Sequence, residues 1–188
     1  MNAITYKEVF PLIKQDKMWL GNGFHAGNAY FSSPVAKEYA EGVYNPETGL
    51  VKFRNVCWFT NIDHGRRHQP LPLMTMSDNL KFSKHKEIKG KEYQKYDNYN
   101  AIEVSFTDAI PSDYDGVMGV PISFLDKYSP EQFEIVGSDY DVKEGLLPEL
   151  INPKWTGKLD RGYINGQRIY SRLLVRFRRG GEKMGSLT

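Results

Sequence analysis

Apolar positions along the chain alternate or run continuously in short stretches, and turn residues separate them. The clearest stretch is Leu50-Val51-Lys52-Phe53-Arg54-Asn55-Val56-Cys57-Trp58-Phe59-Thr60. Alternation runs over Val51, Phe53 and Asn55, and the stretch then turns continuously apolar, as in a strand covered on both faces. Residues 17–21, 101–106 and 133–137 also read as strands. Residues 117–125 are apolar but hold Pro121, which predicts a sheet edge or a strand-to-loop junction. Asn165-Gly166 favours the positive φ angles of a two-residue turn, so 163–164 and 167–170 form a hairpin whose second strand continues through 171–178. Residues 51–60, 101–106 and 168–177 are expected to share the central sheet.

Helical signals are few. Thr5-Tyr6-Lys7-Glu8 has the spacing of a capping box, followed by Val9, Leu12 and Ile13 on one face. This predicts a short helix over about residues 5–15, kinked or shortened by Pro11. Ser129-Pro130-Glu131 starts a helical turn. Residues 21–49 read as loop with a hairpin near 44–49. Residues 61–100 form a long polar excursion of weak periodicity, a feature that in compact domains is functional or disordered. The expected class is α+β: a mixed, largely antiparallel sheet with a few short helices and long loops. Residues 1–179 would make a single domain, with 180–188 a flexible tail.

Composition narrows this picture. A chain of 188 residues suits one domain, and 17 glycines with 10 prolines are too many for a helical bundle. Aromatics at 13% argue against disorder. There is no apolar run of membrane-spanning length, and the first residues lack a secretory pattern. The lone Cys57 permits no internal disulfide and no cysteine-rich zinc site, so a cytoplasmic protein without a membrane partner is expected. Cys57 reads as a buried structural thiol.

The net charge of +2 conceals a strong asymmetry: residues 81–95 carry net +4, residues 96–149 net −10 and residues 154–183 net +7. Such blocks point to a polyanion partner. Arg66 and Arg67, then Lys81, Lys84, Lys86, Lys89, Lys91 and Lys95, interleave with Phe82, Tyr93 and Tyr96. Flexible cations match phosphates and aromatic rings offer stacking faces, so this tract is the candidate nucleic-acid surface. The C-terminal strand adds Arg172, Arg176 and Arg178. Alternation places these on one face with Leu174, leaving Leu173, Val175 and Phe177 for the core.

Three other patterns carry less. Gly21-Asn22-Gly23-Phe24-His25-Ala26-Gly27 follows a strand but leads into Asn28-Ala29-Tyr30-Phe31, which is no helix, so these read as loop glycines rather than a cofactor loop. Asn152-Pro153-Lys154-Trp155 has the outline of the tetrad used by amino-methyltransferases, but Lys154 stands in place of a proline and a turn is the better reading. His64 and His68 are spaced i, i+4 beside Asp63, yet Gly65 lies between them and no third ligand is evident, so surface histidines are expected.

Longer blocks then carry a resemblance. These are residues 2–13, Met18-Trp19-Leu20-Gly21, residues 51–61, Tyr96-Asp97-Asn98-Tyr99-Asn100-Ala101-Ile102-Glu103-Val104, and above all Tyr114-Asp115-Gly116-Val117-Met118-Gly119-Val120-Pro121 with the residues following to Tyr128. With Arg168-Ile169-Tyr170 and residues 171–176, they resemble the EcoRI-type adenine-specific DNA methyltransferase family. The resemblance is to the C-terminal part of such an enzyme. It implies that the S-adenosylmethionine loop and the Asn-Pro-Pro-Phe tetrad belong to the family's preceding part. No catalytic or cofactor-binding residue can then be carried onto this sequence, and S-adenosylmethionine is implied for the full-length family alone. It further implies that residues 18–20 and 56–60 pair as an antiparallel sheet edge and that the basic excursion approaches DNA.

Two readings follow. In the first, the chain is the nucleic-acid-binding, target-recognition-like part of a restriction-modification methyltransferase. It is not an enzyme alone, and its partner is DNA or another nucleic acid. Its candidate contacts are Arg66, Arg67, Lys81, Lys84, Lys86, Lys89, Lys91, Arg172 and Arg176. In the second, it is a stand-alone phage or mobile-element protein. It would antagonise a restriction or CRISPR effector, or another nucleic-acid-processing complex, by contact or by phosphate mimicry through its acidic centre.

Overall fold

A computed structural model describes residues 6–21, 28–40, 42–54 and 57–179. In chain order the elements are α1 (Phe10–Lys14), β1 (Trp19–Leu20), β2 (Asn28–Ser32), β3 (Tyr44–Asn45), β4 (Leu50–Arg54), β5 (Phe59–Thr60), α2 (Met76–Phe82), β6 (Ile102–Glu103), β7 (Met118–Pro121), β8 (Phe133–Ser138), α3 (Asp139–Lys143), β9 (Tyr163–Ile164), β10 (Gln167–Arg168) and β11 (Arg172–Phe177). Short 3-10 segments, among them Gly65–His68 and Ile122–Lys127, link them. The class is α+β, as expected. Among the described residues no helix is long and apolar enough to cross a membrane.

The largest sheet has the order β6-β7-β11-β8; β6 and β7 run parallel and the other neighbours antiparallel. Both of its faces are covered. Leu173 and Val175 join Met118, Val120, Phe124, Phe133 and Ile135 in one cluster, with Phe177 packed against it. Phe133 meets Phe124 and Phe177 edge-on, at 5.0 and 5.7 Å between ring centroids. Leu174 points to the opposite face, among Tyr96, Tyr99, Val117, Val142 and Leu147. The alternation expected of this strand therefore holds, but its second face is core as well. Burying one such apolar side chain contributes about 1.5–3 kcal/mol.

Several expectations are corrected. The run from Leu50 to Thr60 does not join the central sheet. Its first half is β4, the middle strand of a separate three-stranded sheet ordered β2-β4-β3, and its second half is β5, which pairs with β1. Nor is it covered on both faces toward its end, since Trp58 is 45% exposed. The β1–β5 pairing, Trp19 with Thr60 and Leu20 with Phe59, is antiparallel as the family resemblance implied, but among the described residues it stands as a two-stranded sheet of its own and not as the edge of a larger one.

Residues 28–32 form β2 rather than loop; only Ala29 is buried there, so little hydrophobic alternation signals the strand. Of the two expectations for residues 117–125, the strand end holds, since β7 stops at Pro121 and passes into the 3-10 segment Ile122–Lys127, whereas the sheet edge does not, since β7 is an interior strand. Helix α1 starts at Phe10, so Pro11 lies in its first turn, where a missing amide costs nothing; Thr5 of the expected capping box falls outside the described residues. The 163–168 hairpin turns on Asn165 and Gly166, with φ of 51° and 74°, but its second strand ends at Arg168 and β11 is a new strand in another sheet. Residues 180–188, expected to be a tail, lie outside the described residues.

Candidate nucleic-acid interface

The 61–100 excursion is ordered, and its lysines stand on a built platform. Thr75 caps α2: its Oγ1 accepts from the Asp78 amide at 3.1 Å. Met76, Asn79, Leu80 and Ser83 share the inward face at helical spacing. Asn79 is fully buried and donates to the Ala109 carbonyl at 3.3 Å, and Tyr93 donates to the same oxygen at 2.6 Å. Ile88 is buried, and the Gly90 amide returns to the Leu80 carbonyl at 2.8 Å with φ of 72°. The His85 ring stacks flat on Phe106 at 3.7 Å and donates to Asp108 at 2.7 Å. Lys84 reaches the other oxygen of Asp108 at 2.7 Å. Partial burial works to raise the Asp108 pKa, but hydrogen bonds from Lys84 and His85 outweigh it and hold the carboxyl below its ordinary value. From this scaffold Lys81, Lys84, Lys86, Lys89, Lys91 and Lys95 all project exposed.

The candidate arginines behave differently. Arg67 is 8% exposed; it pairs with Asp16, reaches Asp63 at 3.4 Å, and lays its guanidinium over the Trp19 ring at 3.6 Å. It ties the excursion to α1 and β1 and presents no free charge. Arg66 is partly exposed and pairs with Asp126 at 2.9 Å. Arg176 lies at the surface and bridges to Glu134 on the neighbouring strand at 3.2 Å. Arg178 donates to the Phe133 carbonyl at 3.1 Å.

Arg172 is a core residue. Its Nε and Nη2 donate to Glu103, the shortest contact being 2.6 Å, and both side chains are nearly buried. Glu103 also accepts from the Tyr96 and Ser105 hydroxyls. Burial pulls against the Arg172 charge, yet the Glu103 hydrogen bonds hold its pKa above the ordinary value. The pair spans β7 from β6 to β11, and Gly119 of β7 makes room for it: a Cβ there would collide with the Tyr96 hydroxyl. Nearby Asp139 is fully buried, and burial raises its pKa to about 6 against the pull of Arg161.

Sequence reasoning missed this network. The available signal was Glu103 itself, a charge inside an apolar strand run that requires a partner. The expected contacts Arg67 and Arg172 are thus corrected: both charges are neutralised inside the fold, and the exposed lysines remain.

The remaining patterns resolve simply. The His64 ring contacts the Leu20 carbonyl, whereas His68 lies between Glu131 at 2.5 Å and Asp63 at 2.8 Å, so the two do not converge. The His68 pKa is raised by Glu131 and then Asp63. Among the described residues no group of three or more potential metal ligands gathers. Asn152 makes a turn: its Oδ1 accepts from Lys154 N at 3.1 Å and its amide donates to the Asp97 carbonyl at 2.7 Å, so both ends are engaged. Cys57 is half-buried, and burial raises its thiol pKa. Residues 22–27 of the glycine stretch lie outside the described residues; the stretch leads into β2 and not a helix.

The family model described as adenine-specific methyltransferase EcoRI matches residues 1–178. The type II methyltransferase M.EcoRI of Escherichia coli is 38% identical over 188 aligned residues, covering 95% of this chain and 48% of that protein. M.MgeORF184P of Mycoplasma genitalium is 32% identical, covering 93% of this chain and 54% of its own length. M.MpnI of Mycoplasma pneumoniae is 29% identical, with 94% and 54% covered. The chain therefore spans about half the length of the curated relatives it matches. No solved structure gives a significant match.

Proposed function

The chain belongs to the EcoRI adenine-specific methyltransferase family, and from that premise we propose that it is the DNA-holding, target-recognition-like part of such an enzyme. The observation that carries this reading is the exposure of Lys81, Lys84, Lys86, Lys89, Lys91 and Lys95, the first on α2 and the others on the segment that follows it. Its lysines neutralise backbone phosphates and release counterions, which gives affinity and orientation without reading bases. Arg66 and Arg176 are partly exposed but hold ion pairs with Asp126 and Glu134, so they carry less of this reading than the lysines.

The described residues do not fit S-adenosylmethionine. A cofactor pocket of this class needs a glycine loop that opens a helix after a parallel strand. Among the described residues the one parallel pair is β6–β7, and the glycine stretch after β1 leads into a strand. No catalytic step is assigned to this part of the protein.

The phosphate-mimicry alternative draws less support. Within the acidic stretch, Glu103 and Asp139 are buried, and Asp108, Asp126 and Glu134 are engaged in ion pairs inside the chain.

Duplex binding by fluorescence anisotropy across a salt series tests the proposal. Log affinity should fall linearly with log salt, and changing Lys84, Lys86, Lys89 and Lys91 to Ala should flatten the slope by about 0.9 for each phosphate that is no longer neutralised. No binding at any salt, or binding with coincident slopes, overturns it.

A further inference from the structure

Helix α2 is turned with a polar residue inward and an aromatic one outward. Asn79 is fully buried and bonded to the Ala109 carbonyl, whereas Phe82 is 70% exposed. An amphipathic helix ordinarily does the reverse. The rotation is set by the Thr75 cap, by the Asn79 hydrogen bond and by the buried Ser83, so Phe82 is held outward by groups other than itself. Between residues 63 and 145 it is the one strongly exposed large hydrophobic side chain. Lys81 and Lys84 flank it in sequence, and Lys86, Lys89 and Lys91 follow on the turn pinned back to α2 through Gly90.

One benzyl face among lysines is too small for a protein interface, which needs on the order of 800 Å² per partner. It does match the flat face of one nucleobase, and cations beside an aromatic platform are the arrangement that holds an unstacked base between its phosphates. We propose that Phe82 is a nucleobase-stacking contact: its ring meets an unstacked base while the neighbouring lysines meet the adjoining phosphates. This rests on the lysine face binding DNA and adds what the lysines alone do not supply, a preference for DNA with an exposed base.

The test uses the full chain and two duplexes, one fully paired and one carrying a single bulged fluorescent adenine analogue. Wild type should bind the bulged duplex more tightly and quench the analogue. Phe82→Ala should lose about tenfold in affinity for the bulged duplex, together with the quenching, and keep the wild-type salt slope. Phe82→Trp should retain both. Because the side chain is exposed, urea midpoints of both variants should match wild type. If Phe82→Ala binds and quenches as wild type does, the stacking role is refuted while the lysine face stands. If wild type binds neither duplex, the DNA-binding reading itself fails and this one falls with it.

Discussion

Arg172→Met should cost this protein a large part of its stability, because the arginine is the internal counter-charge of Glu103. The Glu103 side chain is 9% exposed and that of Arg172 11%. The substitution removes all the Nε and Nη2 hydrogen bonds to the carboxylate and leaves only the Tyr96 and Ser105 hydroxyls as donors. Stranding one member of a buried ion pair costs about 3–5 kcal/mol. Against a total of roughly 5–15 kcal/mol for a domain, that is a substantial fraction. With a urea m-value of about 2 kcal/mol/M, the midpoint should fall by about 2 M. Chemical denaturation followed by far-ultraviolet circular dichroism reads this directly. The companion variant Arg172→Met with Glu103→Gln removes the stranded charge and keeps an oxygen for Tyr96, so it should regain most of the loss. A single variant that loses less than about 1 kcal/mol would refute the buried-pair argument. A stable single variant that instead loses DNA binding would restore Arg172 as a contact residue.

Two further outcomes follow from the same region. Gly119→Ala should destabilise the chain by about 1–3 kcal/mol, since the added methyl collides with the Tyr96 hydroxyl and drives it from Glu103; an unchanged urea midpoint would contradict the packing described. Asp139, with its pKa raised by burial from 3.8 to about 6, is protonated in both folded and unfolded chains below the lower value and charged in both above the higher one. The burial penalty therefore grows as pH rises through that window, lowering stability by about 3 kcal/mol at 1.36 kcal/mol per unit. Asp139→Asn should flatten this pH dependence in urea midpoints, and a variant that tracks wild type across the window would refute the assignment.

Local chemistry was legible in the sequence where it decided the outcome. Asn165-Gly166 announced its turn because two successive positive φ angles suit few other residue pairs. The alternation of Leu173, Val175 and Phe177 against Leu174 announced the two faces of β11. What escaped was non-local. Nothing in the run from Leu50 to Thr60 says that its halves pair with different partners, β2 and β3 for one and β1 for the other.

The site divides in the same way. Arg67 and Arg172 look like Lys86 or Lys89 in any count of charge, but their partners Asp16 and Glu103 lie 51 and 69 residues away in sequence. A basic tract locates cations; only the fold separates those neutralised internally from those offered to solvent. Lysine suits the second role, being strongly hydrated and flexible, whereas the planar guanidinium suits buried pairing and stacking on Trp19.

The most direct test of the lysine face is a footprint. Lysine acetylation of the chain with and without duplex DNA, read residue by residue by mass spectrometry, measures which ammonium groups the nucleic acid covers. Lys81, Lys84, Lys86, Lys89, Lys91 and Lys95 should be protected together in the complex, while the exposed Lys37 and Lys158, outside that tract, keep their free reactivity. Protection of Lys37 and Lys158 with the 81–95 lysines unchanged, or uniform reactivity under conditions where DNA is bound, would contradict the account.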